Sequence, residues 1–173
     1  MSASPDVKAG GSKRNGASRL SAARLAAVQA LYQIDMTGTA PETVLTEFLI
    51  HRQGAELDEE GPVAAMDRSL VAELVCGTAR ERERIDQALR SLLVADWPLE
   101  RIEKVMAAVL RAGAYELMER PGVPARVIIS EYVDVAHAFF QGKEISMVNG
   151  VLDRLARTLR PGEMGADQGA AAG

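Results

Sequence analysis

The residues best placed to do chemistry are cations near the start of the chain. Residues 1–24 hold Lys8, Lys13, Arg14, Arg19 and Arg24 against Asp6 alone, a local charge of +4. The 173-residue chain carries −4 overall, so residues 25–173 sum to −8. Cations interleaved with Ser, Asn and Gly can settle against phosphates and release counterions as they do. Tyr32 follows Arg24 by eight residues, roughly two helical turns, so the two fall near one helix face. A ring beside a guanidinium can stack an unpaired base. The commoner place for such a tyrosine is the edge of a core, and a basic tail can also simply keep a chain soluble. Residue types alone leave these readings open. A second basic region, at 143–160, sets Lys143, Arg154, Arg157 and Arg160 against Glu144 and Asp153. The exposed N–H groups of a helix starting there would favour anions.

Other chemistries find little support. A single cysteine, Cys76, excludes a disulfide within the chain and a cysteine zinc site. It reads as a small buried hydrophobe. Two histidines, His51 and His137, are too few for a histidine metal site and stand far apart. No glycine-rich phosphate loop, zinc-protease or nucleophile-elbow motif occurs. The carboxylates at 52–62 (Glu56, Asp58, Glu59, Glu60) lack calcium-loop spacing and read as a solvated acidic loop. No cofactor, metal or catalytic residue is expected, and the protein reads as a binder rather than an enzyme. There is no apolar run long enough for a membrane span and no signal-peptide pattern, so a reduced cytoplasm is the expected setting.

Helices must position the cations. Apolar residues recur at three and four: Leu20, Ala27, Leu31 and Ile34, then Ile102, Val105, Met106, Val109 and Leu110, then Val148, Val151, Leu152, Leu155 and Leu159. Prolines 41, 62, 98, 121 and 124 fall at the breaks. The spacing predicts six or seven helices and no sheet over 19–160, between a disordered basic arm at 1–18 and a disordered tail at 161–173. Asp96 before Trp97-Pro98 has the pattern of an N-cap, and Gly142 that of a helix end. Gly77-Thr78 predicts a break or kink. Glu81, Arg82, Glu83, Arg84 and Asp86 alternate in sign, as on a solvent-facing helix.

Three strings carry a resemblance: ARLAAVQALYQID at 23–35, AVLRAGAYELMERPGVPARVIISEYVDVAHAF at 108–139 and MVNGVLDRLAR at 147–157. Their order and wording resemble the bacterial NusB antitermination family across nearly all of 19–160. The resemblance implies an all-α fold of two packed helical subdomains and a non-catalytic, RNA-binding role. It implies a NusE partner (also a small-subunit ribosomal protein), boxA RNA of ribosomal RNA operons, and assembly of an antitermination complex on RNA polymerase. Relatives being monomers or dimers, a homodimer stays open. Carried onto matching positions, the family's RNA surface nominates Arg19, Arg24, Gln29 and Tyr32, with Lys143, Ser146, Met147 and Asn149. Lys13 and Arg14 join them on charge alone.

The chain departs from the family pattern in two places. Leu20, Ser21 and Ala22 stand where arginines are common, and Ser146-Met147 replaces a usual Lys-Phe, losing a charge and a ring. Gly150 reads as a small residue at a close helix crossing, and Asn149 equally as a helix-contact or an RNA residue. Two other readings are an accessory domain like those of some RNA cytosine methyltransferases and a helical protein-interaction module.

Overall fold

A computed structural model describes residues 10–55 and 66–165, with side chains described for 16–51 and 66–165. Their order is α1 (Gly10–Thr37), α2 (Pro41–Ala55), α3 (Arg68–Arg80), α4 (Arg82–Arg90), a 3₁₀ turn (Leu99–Arg101), α5 (Lys104–Glu119), α6 (Ala125–His137), α7 (Lys143–Leu159) and a single turn, α8 (Pro161–Met164). The described residues are all α, without a strand. The count of eight exceeds the expected six or seven because α3 and α4 are separate and α8 lies past residue 160.

Helix α5 is the axis. Every residue from Met106 to Leu117 is buried, which its small and apolar composition permits. It touches α1, α3 and α4 on one side and α6 and α7 on the other, joining two groups of helices. Two glycines let the groups close. A Cβ on Gly113 would stand 2.9 Å from Leu152 Cδ1 and 3.3 Å from Tyr132 Cδ2. One on Gly77 would fall 2.3 Å from the Tyr115 ring. The break expected at Gly77-Thr78 falls at Glu81, between α3 and α4, and Gly77 itself lies inside α3. It makes room for a ring of α5, and α3 continues to Arg80.

Other punctuation also differs from expectation. Asp96 caps nothing: its segment is a turn leading to the 3₁₀ element, and α5 starts at Lys104 after Glu103. The side-chain cap is elsewhere, where Asp67 Oδ1 accepts from Leu70 N–H at 2.9 Å and starts α3. Helix α6 ends at His137, and Gly142, at φ +67°, precedes α7 instead of ending α6. Asp86 is buried despite the alternating charges around it, because Arg111 of α5 grips it at 2.7 and 3.1 Å. Arg111 also reaches Asp35 of α1 at 3.0 Å, and Arg82 pairs with Asp35.

The C-terminal boundary moves as well. Arg160 donates to the carbonyls of Leu117 (3.1 Å), Val123 (2.6 Å), Arg120 (2.8 Å) and Glu116 (3.2 Å), capping the end of α5. Glu163 Oε2 accepts from the Ala125 N–H at 2.7 Å, at the start of α6, and Met164 is fully buried. The expected tail at 161–173 thus begins with a docked turn. Helix α1 starts at Gly10, within the expected arm. Lys8, the acidic residues 56–60 and residues 166–173 lie outside the described residues.

Candidate nucleic-acid interface

Arg24 does not belong to a surface. It is 3% exposed. Its Nε and Nη2 donate to the two Glu116 oxygens at 2.7 and 2.9 Å, and Nη1 lies 3.5 Å from Glu131. Tyr132 Oη donates to Glu116 at 2.6 Å, and Ser21 Oγ donates to Glu131 at 2.8 Å. Burial opposes the charge on Arg24, but the Glu116 hydrogen bonds and carboxylate outweigh it and raise its pKa. A phosphate would have to displace two carboxylates already in place. The assignment of Arg24 to RNA is therefore corrected: it ties α1 to α5 and α6.

The remaining nominated residues divide between two places. On α1, Arg19 is exposed near the helix start. Gln29 and Tyr32 line an open groove with Met36, Glu103, Lys104, Val105 and Phe139. Tyr32 is 39% exposed and Phe139 38%, so two rings of different helical segments border one groove. Lys13 and Arg14 fall within α1, but their side chains lie outside the described residues. On α7, Ser146 and Asn149 are exposed one turn apart. Met147 is half-buried against the core, which suits a thioether in place of a ring. Lys143 Nζ lies 5.7 Å from the centroid of Trp97, a cation–π contact. Asn149 also lines a groove with Arg126, Ile129, Ser130, Val133, Asp153 and Met164.

The structure adds Phe139 and Lys104 to the groove beside Tyr32, and it exposes Arg154 of the second basic region on α7. Phe139 lies two residues past the end of α6, which leaves its ring partly exposed. A helical count from Ser146 through Gly150 to Arg154, four and four, was the readable signal for Arg154. Gly150 is a second correction: a Cβ there would meet nothing within 4 Å. No helix crosses at that point. A glycine inside a helix costs about 1 kcal/mol relative to alanine, and packing does not explain it here.

Nothing among the described residues favours catalysis. No group of three His, Cys, Asp or Glu could hold a metal ion there. Cys76 is half-buried, and burial pushes its thiol up, away from the reactive thiolate. No described helix is long and apolar enough to cross a membrane.

The described residues form a helical body that carries cationic and aromatic side chains on its outer faces, the equipment of a binding protein. The chain belongs to the NusB family, whose model matches residues 21–157. It is 50% identical over 149 residues to the transcription antitermination protein NusB of a Bradyrhizobium strain, covering 86% of this chain and 88% of that one. The NusB of Agrobacterium fabrum is 45% identical over 159 residues, with 90% and 96% covered. Among solved structures, T. maritima NusB matches with a TM-score of 0.64 at 28% identity, over 79% of this chain and 89% of that one. A complex of NusB and NusE with double-stranded RNA shares the fold at a TM-score of 0.63 and 24% identity, with 80% and 96% covered.

Proposed function

We propose that this transcription antitermination protein acts in the cytoplasm by binding boxA RNA of ribosomal RNA operons together with NusE, and so helps to load an antitermination complex on RNA polymerase. The observation that carries the reading is the division of its charged residues. Arg24 and Arg111 are consumed inside by carboxylates, whereas Lys143 and Arg154 on α7 have no carboxylate partner among the described residues. Ser146 and Asn149 stand exposed between these two cations, and Tyr32 and Phe139 offer rings on the α1 groove. Cations for phosphates, amides and hydroxyls for sugar and base edges, and rings for stacking are what single-stranded RNA requires. The NusB–NusE–RNA complex that shares this fold is a precedent for both partners in one assembly.

The acidic body suits a basic protein partner. Asp96, Glu103 and Glu144 line one pocket with Trp97 and Phe140, and none of the three carboxylates pairs with a cation among the described residues. Arg101 is the pocket's one lining cation. These carboxylates support a NusE-type surface at this pocket, which borders the RNA face at Lys143, whose ammonium contacts the Trp97 ring.

A gel shift with boxA RNA and a scrambled control, with and without NusE at two salt concentrations, tests the proposal. Affinity for boxA should exceed that for the control, fall steeply with salt and rise with NusE. Equal binding of the two RNAs in the presence of NusE refutes it.

A further inference from the structure

Four glycines in the interiors of described helices can be compared directly: Gly16, Gly77, Gly113 and Gly150. Gly77 and Gly113 are required by packing, since a methyl group at either would collide with Tyr115 or Leu152. Gly150 meets open space, halfway along the outer face of α7. Inside the molecule nothing offsets the loss of helix stability that a glycine brings. Gly16 of α1 also meets open space, so what an open glycine serves must be read from its neighbours.

The neighbours of Gly150 say what that is. Asn149 and Ser146 are exposed, and neither side chain has a partner among the described residues. Arg154 lies one turn further along, and its Nε donates to the Gly150 carbonyl at 3.2 Å, which folds the guanidinium back beside the glycine. The acid nearest in sequence is already taken: Asp153 pairs with Arg157 at 2.8 Å. Around a spot with no side chain there are thus an amide, a hydroxyl and a cation held in position. An apolar protein surface would find no apolar side chain on this outer face, where Lys143, Ser146, Asn149, Gly150 and Arg154 follow at helical spacing. A sugar–phosphate chain needs each of those groups, and it needs close access to the backbone.

We propose that bound RNA lays its sugar–phosphate backbone across Gly150 of α7, with Arg154 neutralising a phosphate and Asn149 hydrogen-bonding beside it. This extends the RNA surface one turn beyond the nominated residues and rests on the RNA-binding function proposed above. The contact positions the strand and leaves base recognition to other residues.

The test uses the full chain, boxA RNA and NusE. Gly150→Ala adds one methyl group in open space. It should raise Tm by about 3 °C while weakening RNA binding about tenfold, with the salt slope unchanged because no charge is altered. Gly150→Gln, which intrudes further, should weaken RNA binding more. Arg154→Ala should lower the magnitude of the salt slope by about 0.7. NusE affinity should be unaffected in all three variants. Wild-type RNA affinity in both Gly150 variants overturns the proposal, as does a lowered Tm for Gly150→Ala, which would mean packing. Loss of NusE binding with RNA binding intact overturns it too, by giving the face to protein. A wild-type chain that binds no RNA, alone or with NusE, refutes the RNA function itself and this contact with it. Wild-type binding with unaffected variants refutes the contact alone.

Discussion

Arg24 and Arg154 show how one residue type serves two regions. Arg24 enters a cluster built from three helices: α1 supplies the cation, α5 supplies Glu116, and α6 supplies Glu131 and Tyr132. Arg154 sits on one helix, and its recorded hydrogen bond goes to a carbonyl of that same helix. The interior cluster gives Arg24 two carboxylates, Glu116 and Glu131, and although Arg120 also reaches Glu116 at 3.4 Å, the Arg24 guanidinium is fixed. The exterior face has cations in excess, so an anion from elsewhere is welcome. Carboxylates within reach therefore decide whether an arginine holds a fold together or meets a ligand. A second interior cluster repeats the first: Arg111 of α5 joins Asp86 of α4 to Asp35 of α1.

The largest expected effect breaks the interior side of this comparison. Arg24→Ala leaves Glu116 buried without its main counter-charge and should destabilise the protein by about 3–5 kcal/mol in urea unfolding. The RNA salt slope of the folded fraction should stay at its wild-type value, and a flatter slope would return Arg24 to the RNA surface. Next is Tyr132→Phe, which removes a charge-assisted hydrogen bond and should cost about 1.5–3 kcal/mol. Burial, then the Glu116 charge, pushes the Tyr132 phenol well above its ordinary pKa. The folded state thus holds this proton more tightly than the unfolded state does. Its contribution is complete below about pH 10, the unfolded value, and falls as pH rises above it. Unfolding curves between pH 8 and 11 should show this alkaline loss in wild type and a weaker one in Tyr132→Phe.

Gly113→Ala should cost about 1–3 kcal/mol, since Leu152 and Tyr132 must give way. Its sign is the reverse of that expected for Gly150→Ala, and matching signs would erase the distinction between inner and outer glycines. The smallest effect on stability belongs to the outer groove. Tyr32→Ala should change stability by less than about 0.5 kcal/mol yet weaken RNA binding at an unchanged salt slope. Arg19→Ala should reduce the slope by about 0.7. Similar slopes for these two variants would deny them separate roles.

The helices were legible because burial repeats every three or four residues, and that signal is local. The final stripe is buried from Val148 to Leu155, where the spacing puts it, but its last member, Leu159, is 40% exposed. The fate of Arg24 was not legible, because Glu116 lies 92 positions away. Tyr32 was placed two turns from Arg24 on nearly one face, but Arg24 is buried and Tyr32 sits at the rim. A modest angular difference on a helix is enough to separate core from solvent. Glycines were read as breaks, ends or crossings. Which of these applies depends on what lies opposite: Tyr115 for Gly77, nothing for Gly150, and a positive φ for Gly142. The Asp96 cap failed because the segment that follows it forms only a 3₁₀ turn.

The cap that Arg160 places on α5 also gives the fold a schedule. Leu117 and Arg160 are 43 residues apart. At about 5–20 residues per second, a ribosome makes the end of α5 roughly 2–9 s before it makes the side chain that closes it. For that interval the Leu117 carbonyl lacks its Arg160 donor, and those of Glu116 and Arg120 have only the backbone N–H groups of Arg120 and Val123. The start of α6 waits similarly for Glu163. The central helix is thus finished last during synthesis, and a nascent chain halted before residue 160 has its axis without its clasp.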